Sequence, residues 1–532
     1  MILIRNNSYW IYRLNRLLSS CQSKNGENLF SSSMALSSTM KKLFDSKQYR
    51  EALNVFDQHF EISTDSTIDM AIKACTLSKD YKRGIRIQQR LSFKSRNNSY
   101  IQAALLCFYL ECKDIDNAMH LFSSITNKSN YMYTVVFKGL ITNNVAEKVL
   151  DLFDEMKIEP NQFTLSTLFN ACALLNNNRA MKIGKKLLVE MPETYRNNNV
   201  TSTSAIHMLM KFGDVESAER IFRSMKTKNI ITYGAMVKGY VGNELFEKAL
   251  DIFEQIDIEL DYVTYTIAFD CCAKLCNDRA MKIGKKLLAE MPENYRNDNI
   301  TSTSAIHMLM KFGDVESAER IFRSMKTKGA DIYGALMNGY NLNGESWKCF
   351  KVFEEMNEKD IIPDEIAWNI LIGACSKSGM LHHCQYIMNR IPLNIQNKIR
   401  IQNALIDMWG KCGSIEKAKN VFNLVVDRDT ITYNAMINAF ALNGMGTQAV
   451  ELYREMPNNL RDHVSQICVL NACSHAGLLH EARTIFNEIS LKTESIITTM
   501  VDCLSRLFMF DEAQKLIEDY EKTNTPSIVM YS

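Results

Sequence analysis

The sequence predicts an all-α fold, a right-handed α-solenoid superhelix of about fifteen helix–turn–helix repeats. Three observations carry that expectation. Arg179–Asn229 reads RAMKIGKKLLVEMPETYRNNNVTSTSAIHMLMKFGDVESAERIFRSMKTKN, and it recurs at Arg279–Gly329 with five changes in 51 positions. Short segments share one amphipathic pattern, an alanine followed by apolar residues three and four on: SAERIF (217–222), EKALDIF (247–253), EKAKNVF (416–422), TQAVELY (447–453) and HEARTIF (480–486). An apolar helix precedes such segments, as in TYGAMVKGY (232–240), QNALIDMWGK (402–411) and TYNAMINAF (432–440). Turns marked by Gly213, Gly313, Gly379, Gly413, Gly444 and Gly477 punctuate the pattern. One such hairpin cannot bury its own apolar stripe, so neighbouring hairpins must stack.

From the N-terminus, residues 1–32 carry Arg5, Arg13, Arg16 and Lys24 before the first acid, Glu27, with Leu14, Leu17 and Leu18 at helical spacing. That is the composition of an organellar transit peptide, expected to be mitochondrial, with a plastid as the alternative. Residues 33–129 form a degenerate first triplet of units, 33–64, 65–98 and 99–129. Four clearer triplets occupy 130–524: 130–161, 162–198 and 199–229; 230–261, 262–298 and 299–329; 330–364, 365–398 and 399–429; 430–462, 463–493 and 494–524. The third member is 31 residues long each time, and the 100-residue duplication is one triplet copied. Residues 525–532, TPSIVMYS, read as the start of a truncated C-terminal extension.

Bulk composition excludes several classes. Lys+Arg 62 against Asp+Glu 60 gives a net charge of +2, so no global cationic field draws the chain to nucleic acid, though a locally basic groove is allowed. No uninterrupted run of 18 apolar residues marks a membrane span. The 15 cysteines are scattered without a C-x-x-C pair and read as reduced, buried, small apolar side chains.

The stretches NALIDMWGKCGSIEKAKNVF (403–422), RDTITYNAMINAFALNGMGTQAVELYREM (428–456) and LNACSHAGLLHEARTIFNEI (470–489) resemble the unit types of the pentatricopeptide repeat family, and of its triplet-built PLS subfamily in particular. MVDCLSRLFMFDEAQKLIEDY (500–520) is similar to the segment preceding that subfamily's C-terminal extensions. The resemblance covers roughly residues 33–524. It implies organellar single-stranded RNA binding at about one base per unit, read by the fifth and last residues of each unit, with an aliphatic second residue wedged between bases.

Carried over unit by unit, Thr134 with Asn161, Thr203 with Asn229, Thr498 with Asn524, and Ser166 with Asn198 match adenine-type pairs. Thr266 with Asp298 matches a guanine-type pair; Asn403 with Asp429 and Asn434 with Asp462 match uracil-type pairs. Gly234 and Gly334 have no side chain to read with, though Asp261 and Asp364 close those units. Asp69 with Asn98, Ala103 with Ser129, Ile467 with Thr493 and Asn369 with Lys398 fit no familiar pair. Ile231, Val263, Ile300, Ile366, Ile431 and Val464 occupy the wedge position, unless they only pack between hairpins; Asp331 and Arg400 depart from it. Two of the five differences between the duplicated blocks, Asn198/Asp298 and Asn229/Gly329, fall on unit-final positions. They reflect either base reading or drift in exposed loops. Polar residues recurring at fixed positions favour reading on the expectation that packing alone would not demand them. The basic run Lys182, Lys185, Lys186, repeated at Lys282, Lys285, Lys286, is the candidate for tracking phosphates, or else a solvated helix face.

No reacting group stands out. The P-C-x-x-C half of a zinc deaminase is missing from the sequence. His382, His383 and Cys384 are adjacent and diverge on a helix; Cys271, Cys272 and Cys276 lack two further ligands. No cofactor or metal is expected. The expected partners are single-stranded RNA and a separate RNA-processing or editing enzyme, bound by a monomer off the membrane. The alternative is a protein-interaction scaffold using the same groove.

Overall fold

The computed structural model describes residues 27–522 and 524, and among these every regular element is helical. Arg5, Arg13, Arg16 and Lys24, expected to belong to a transit peptide, lie outside the described residues, as does the segment 525–532. The boundary expected at 32/33 falls inside a helix, Glu27–Asp45. Its sequence, ENLFSSSMALSSTMKKLFD, has no Gly or Pro to start it later.

The chain forms two compact bodies, one up to Glu259 and one from Leu260. In the first, the leading helices of successive units stack in order: Glu27–Asp45, Asp65–Ser78, Ser99–Glu111, Asn130–Thr142, Gln162–Leu175, Asn199–Lys211 and Ile230–Gly242. In the second body the same stack runs through Tyr262–Leu275, Asn299–Lys311, Ala330–Leu342, Glu365–Ser378, Ile399–Lys411, Thr430–Leu442, His463–Ala476 and Glu494–Arg506. Each body is therefore a solenoid of helical hairpins. The leading helices are sandwiched between neighbours and are apolar on most faces; the second helix of each hairpin is amphipathic and half-exposed.

The alanine of the recurrent pattern is what allows the second helix to approach closely. Ala118, Ala218, Ala318 and Ala418 have no exposed surface. The phenylalanine four residues on reaches the next unit's leading helix edge-to-face, Phe222 on Tyr233 at 5.4 Å and Phe322 on Tyr333 at 5.0 Å. Gly213, at φ +74°, makes the left-handed turn between the helices of its hairpin.

Four second members of triplets depart from the two-helix unit. After the second helix, a further turn is formed at Phe93–Arg96, Glu193–Arg196, Glu293–Arg296 and Leu393–Gln396. Three of these come after a proline, Pro192, Pro292 or Pro392, whose φ near −60° ends one helix and seeds the next. The extra turn, with a thirteen-residue second helix, accounts for the greater length of units 162–198 and 262–298.

Candidate functional site

The unit-final residues have a local task that their positions in the sequence did not suggest. Each of Asn161, Asn198, Asn229, Asp261, Asp298, Asp364, Asp429 and Asp462 is the N-cap of the next leading helix. Asn161 Oδ1 accepts from the Thr164 amide at 3.0 Å, Asp364 Oδ1 from Ala367 at 2.8 Å, and Asp429 Oδ1 from Thr432 at 2.8 Å. Such a cap contributes about 1 kcal/mol, and asparagine and aspartate are the preferred residues. The expectation that folding would not demand polar residues there is thus corrected: helix capping demands them. Nor are these positions loosely held loops, because the capping oxygen is engaged by backbone. Asn524 differs: it is exposed, and its side-chain amide donates to the Tyr520 carbonyl at 3.0 Å.

The fifth residues point toward the same caps. Thr134, Ser166, Thr203 and Thr266 place their hydroxyls 3.1, 3.3, 2.9 and 3.3 Å from those of Thr164, Thr201, Thr232 and Thr301, the third residues of the next units. Those third residues are wholly buried, and their hydroxyls donate to the capping side chain, as from Thr232 to Asn229 at 2.9 Å and from Thr301 to Asp298 at 2.9 Å. A buried hydroxyl between fifth and final residue therefore joins each pair. Asparagine reaches further: Asn403 Nδ2 donates to Asp429 Oδ1 at 3.2 Å and Asn434 Nδ2 to Asp462 Oδ1 at 3.3 Å. Burial opposes ionisation of Asp429, but hydrogen bonds from Thr432 and Asn403 outweigh it and hold the carboxyl below its ordinary range. Thr498 donates only to its own helix, to the Glu494 carbonyl at 2.9 Å.

A cleft of about 800 Å³ opens over the two asparagine pairs. Asn403, Asp429, Asn434 and Asp462 form its polar wall, with Ile431 and Val464 beside them. A smaller cleft, about 330 Å³, repeats the arrangement at Thr303, Gly334, Asp364 and Ile366. Both are lined by leading helices and their caps. The second-position residues are exposed, from 40% at Val464 to 66% at Ile231, with Val263, Ile300, Ile366 and Ile431 between those limits. Packing between hairpins does not account for them.

The predicted lysines lie elsewhere. Lys182, Lys185 and Lys186 are on the second helix Asn178–Glu190, and Lys282, Lys285 and Lys286 on Asp278–Glu290. Lys185 pairs with Asp214 at 2.8 Å and Lys285 with Asp314 at 2.6 Å; Lys186 and Lys286 each sit 3.9 Å from a glutamate on their own helix. None of the six borders the two clefts. A different basic row does lie on the leading helices. Lys211, Lys274, Lys311, Lys377, Lys411, His475 and Arg506 occupy the thirteenth position, in the last turn, where a cation also suits the helix dipole. Positions two, five, nine and thirteen share one helix face by their spacing of three and four.

A profile of the PPR repeat family matches residues 329–377, and the PPR repeat itself matches eight stretches between residues 131 and 492. The chain belongs to the PPR repeat family. A pentatricopeptide repeat-containing protein of Arabidopsis thaliana is 29% identical over 422 residues, covering 75% of this chain and 67% of that protein. A mitochondrial member from the same plant is 24% identical over 493 residues, covering 89% and 70%. The chloroplastic DOT4 of that plant is 26% identical over 440 residues, covering 80% of this chain and half of its own length. Among solved structures, maize PPR10 aligns over 97% of this chain and 93% of its own at 16% identity and a TM-score of 0.46. PPR10 in complex with an 18-nt psaJ RNA element aligns over 97% and 90%, with 16% identity and a TM-score of 0.43.

Within the PPR register, counting positions alone would have found further candidates. Tyr100, Tyr131, Phe163 and Val200 stand at second positions and are exposed like the aliphatic set. Thr303 is the fifth residue of a PPR unit that ends in Gly329, and the lack of a polar partner hid it. Among the described residues no cluster of His, Cys, Asp or Glu is built to hold a metal, and no helix is long and apolar enough to cross a membrane.

Proposed function

We propose that this chain binds single-stranded RNA by sequence, as a triplet-built PLS-type PPR protein. It acts in organellar RNA processing, editing-site recognition, stability or translation, with the mitochondrion as its compartment. It carries out no reaction of its own; as a monomer it determines what a separate processing or editing enzyme can reach. The observation that carries this reading is the 800 Å³ cleft, whose wall combines the second, fifth and final residues of consecutive units. An apolar side chain beside a base-sized opening offers a stacking surface, and paired amide and carboxylate groups offer donors and acceptors to a base edge. Lys211, Lys274, Lys311 and Lys377 of the thirteenth-position row supply positive charge on the same helix face, where a phosphate backbone would run, whereas Lys411 and Arg506 pair with Asp407 and Asp502.

The test is selection of binding sites by the full chain from a randomised single-stranded RNA pool, with affinities measured at two salt concentrations. The expected motif has A-rich bases 5′ and a U–U step nearer the 3′ end. Replacing Asn403→Ala with Asn434→Ala should weaken that RNA by about 1–3 kcal/mol per base contact and leave unrelated RNAs unchanged. Equal weakening on all RNAs would falsify base reading.

One observation favours a second reading, a protein-interaction scaffold. Capping by itself explains the asparagine and aspartate at unit ends, and the net charge is only +2. Absence of RNA binding at either salt concentration would favour that reading.

A further inference from the structure

We propose that Cys384 and Cys412 form an oxidisable dithiol, closed to a disulfide by peroxide, that fastens the hairpin of unit 365–398 to the leading helix of unit 399–429. Their sulfurs are 3.0 Å apart, roughly 1 Å more than a disulfide bond. Cys384 is buried on the helix Leu381–Met388; Cys412 is the C-cap of Ile399–Lys411 and is partly exposed. The pair thus joins separate hairpins, 28 residues apart in sequence.

The repeat register sets this junction apart. Seven residues before Leu91, Met191, Met291 and Ile391, which come just after the second helices, stand Gly84, Gly184, Gly284 and Cys384. At the first three a side chain has no room: an added Cβ would lie 2.2 Å from Phe108, 2.4 Å from Met208 and 2.4 Å from Met308. The residues ending the next leading helices are Cys112, Phe212, Phe312 and Cys412. Of these four junctions, only the last has cysteine on both sides. There the second helix is eight residues long instead of thirteen, as at Asn178–Glu190, and the crossing admits a side chain.

The chemistry balances with peroxide as oxidant. The accessible Cys412 sulfur attacks a peroxide oxygen, the O–O bond breaks, and Cys412 becomes a sulfenic acid as one water leaves. The Cys384 sulfur then attacks the Cys412 sulfur, the S–O bond breaks, and a second water leaves with the Cys384 proton. Two thiols are oxidised and one hydrogen peroxide is reduced to two waters. Burial, with the Cys384 hydrogen bond, pushes the Cys412 thiol up to about 12, and the Cys375 contact and burial raise Cys384 further. Both groups are therefore protonated at neutral pH, and closure quickens as the pH rises.

Cys375 also hydrogen-bonds the Cys384 sulfur and is the competing partner. The deciding experiment treats the reduced full chain with hydrogen peroxide, alkylates the remaining thiols, digests, and maps cross-linked peptides by mass spectrometry. The expected result is a Cys384–Cys412 cross-link that dithiothreitol removes, that Cys375→Ser retains, and that Cys412→Ser loses. The oxidised wild-type chain should also unfold at a higher temperature than the reduced chain, with no such difference in Cys412→Ser. A Cys375–Cys384 cross-link overturns the proposal. So does sulfinic acid at Cys412 with Cys384 still alkylated, or alkylation of both.

Discussion

The duplicated blocks, residues 179–229 in the first body and 279–329 in the second, have the same helices and nearly the same local bonds, yet their exposed faces differ. In both, an aspartate caps the short second helix by accepting from a serine amide, Asp214 from Ser217 at 3.3 Å and Asp314 from Ser317 at 3.2 Å, while a lysine pairs with that aspartate. The difference comes from one change at the end of the block, Asn229/Gly329, and from the units next to each block. Thr203 meets the Thr232 hydroxyl, and Asn229 caps the next helix. Thr303 turns to the Asn299 carbonyl at 2.6 Å because Ile332 replaces the threonine, and Gly329 offers no capping side chain. His207 lies with Lys211 and Lys238 around a small cleft, whereas His307 lines a cleft with Asp270 and Asn338. A copied block therefore keeps its fold, while one substitution at its end and neighbours that were not copied change its surface chemistry.

The largest expected effect is one the two copies share. An added Cβ at Gly239 or Gly339 would lie 2.3 or 2.2 Å from Met210 or Met310 Cγ. Gly239→Val and Gly339→Val should each lower stability by about 1–3 kcal/mol in chemical denaturation. A large difference between them would break the equivalence of the two crossings.

Next come the caps, where the copies diverge. Asn229→Ala should cost about 1 kcal/mol of stability, while Gly329→Asn should gain a few tenths, roughly 0.3 kcal/mol. Equal and negligible changes would mean that the Asn229 cap does not act in the fold.

Charge provides a third contrast, which rests on the RNA-binding reading. Lys238→Asn should flatten the dependence of log affinity on log salt by about 0.7 for single-stranded RNA, and Asn338→Lys should steepen it by about as much. Unchanged slopes would remove this helix face from the phosphate path.

The smallest effect is a titration. Burial lowers the pKa of His207, and Lys211 and Lys238 lower it further; burial lowers that of His307, with Asp270 opposing and Lys311 assisting. A lowered folded-state pKa favours the neutral imidazole in the fold. The stability it contributes is complete above the unfolded value of about 6.5 and is lost as pH falls through the folded value. His207→Gln should therefore reduce the loss of stability on acidification, as monitored by thermal unfolding across that range. An identical pH profile would show that His207 does not contribute.

Much of the fold was legible because its signals are local. The Ala–x–x–apolar–apolar pattern marks the buried seam of each second helix, as at Ala218 and Phe222, and the turn glycines mark backbone that other residues adopt at a cost. The third short helix was not legible, because IPLNIQ and MPETYR read equally well as linker until proline is seen to seed a turn. Part of the candidate site was legible too, since position numbers selected the asparagines and aspartates that meet at 3.2 and 3.3 Å. Their capping role was missed because a cap looks the same in sequence as a polar contact residue. That the six candidate lysines lie away from the two clefts was not legible, because amphipathicity does not reveal which solvent-facing side of a hairpin faces a cleft.

The sequence by itself determined the repeat, its helical hairpins and the residues that start and stop them, because periodicity and capping act within a few residues of chain. Only the tertiary structure decided which exposed faces come together. The cleft over Asn403 and Asn434, the buried threonine joining Thr203 to Asn229, and the meeting of Cys384 with Cys412 each need two units side by side. Contacts across a junction depend on how closely helices stack, and that distance is set by packing volumes no single repeat contains.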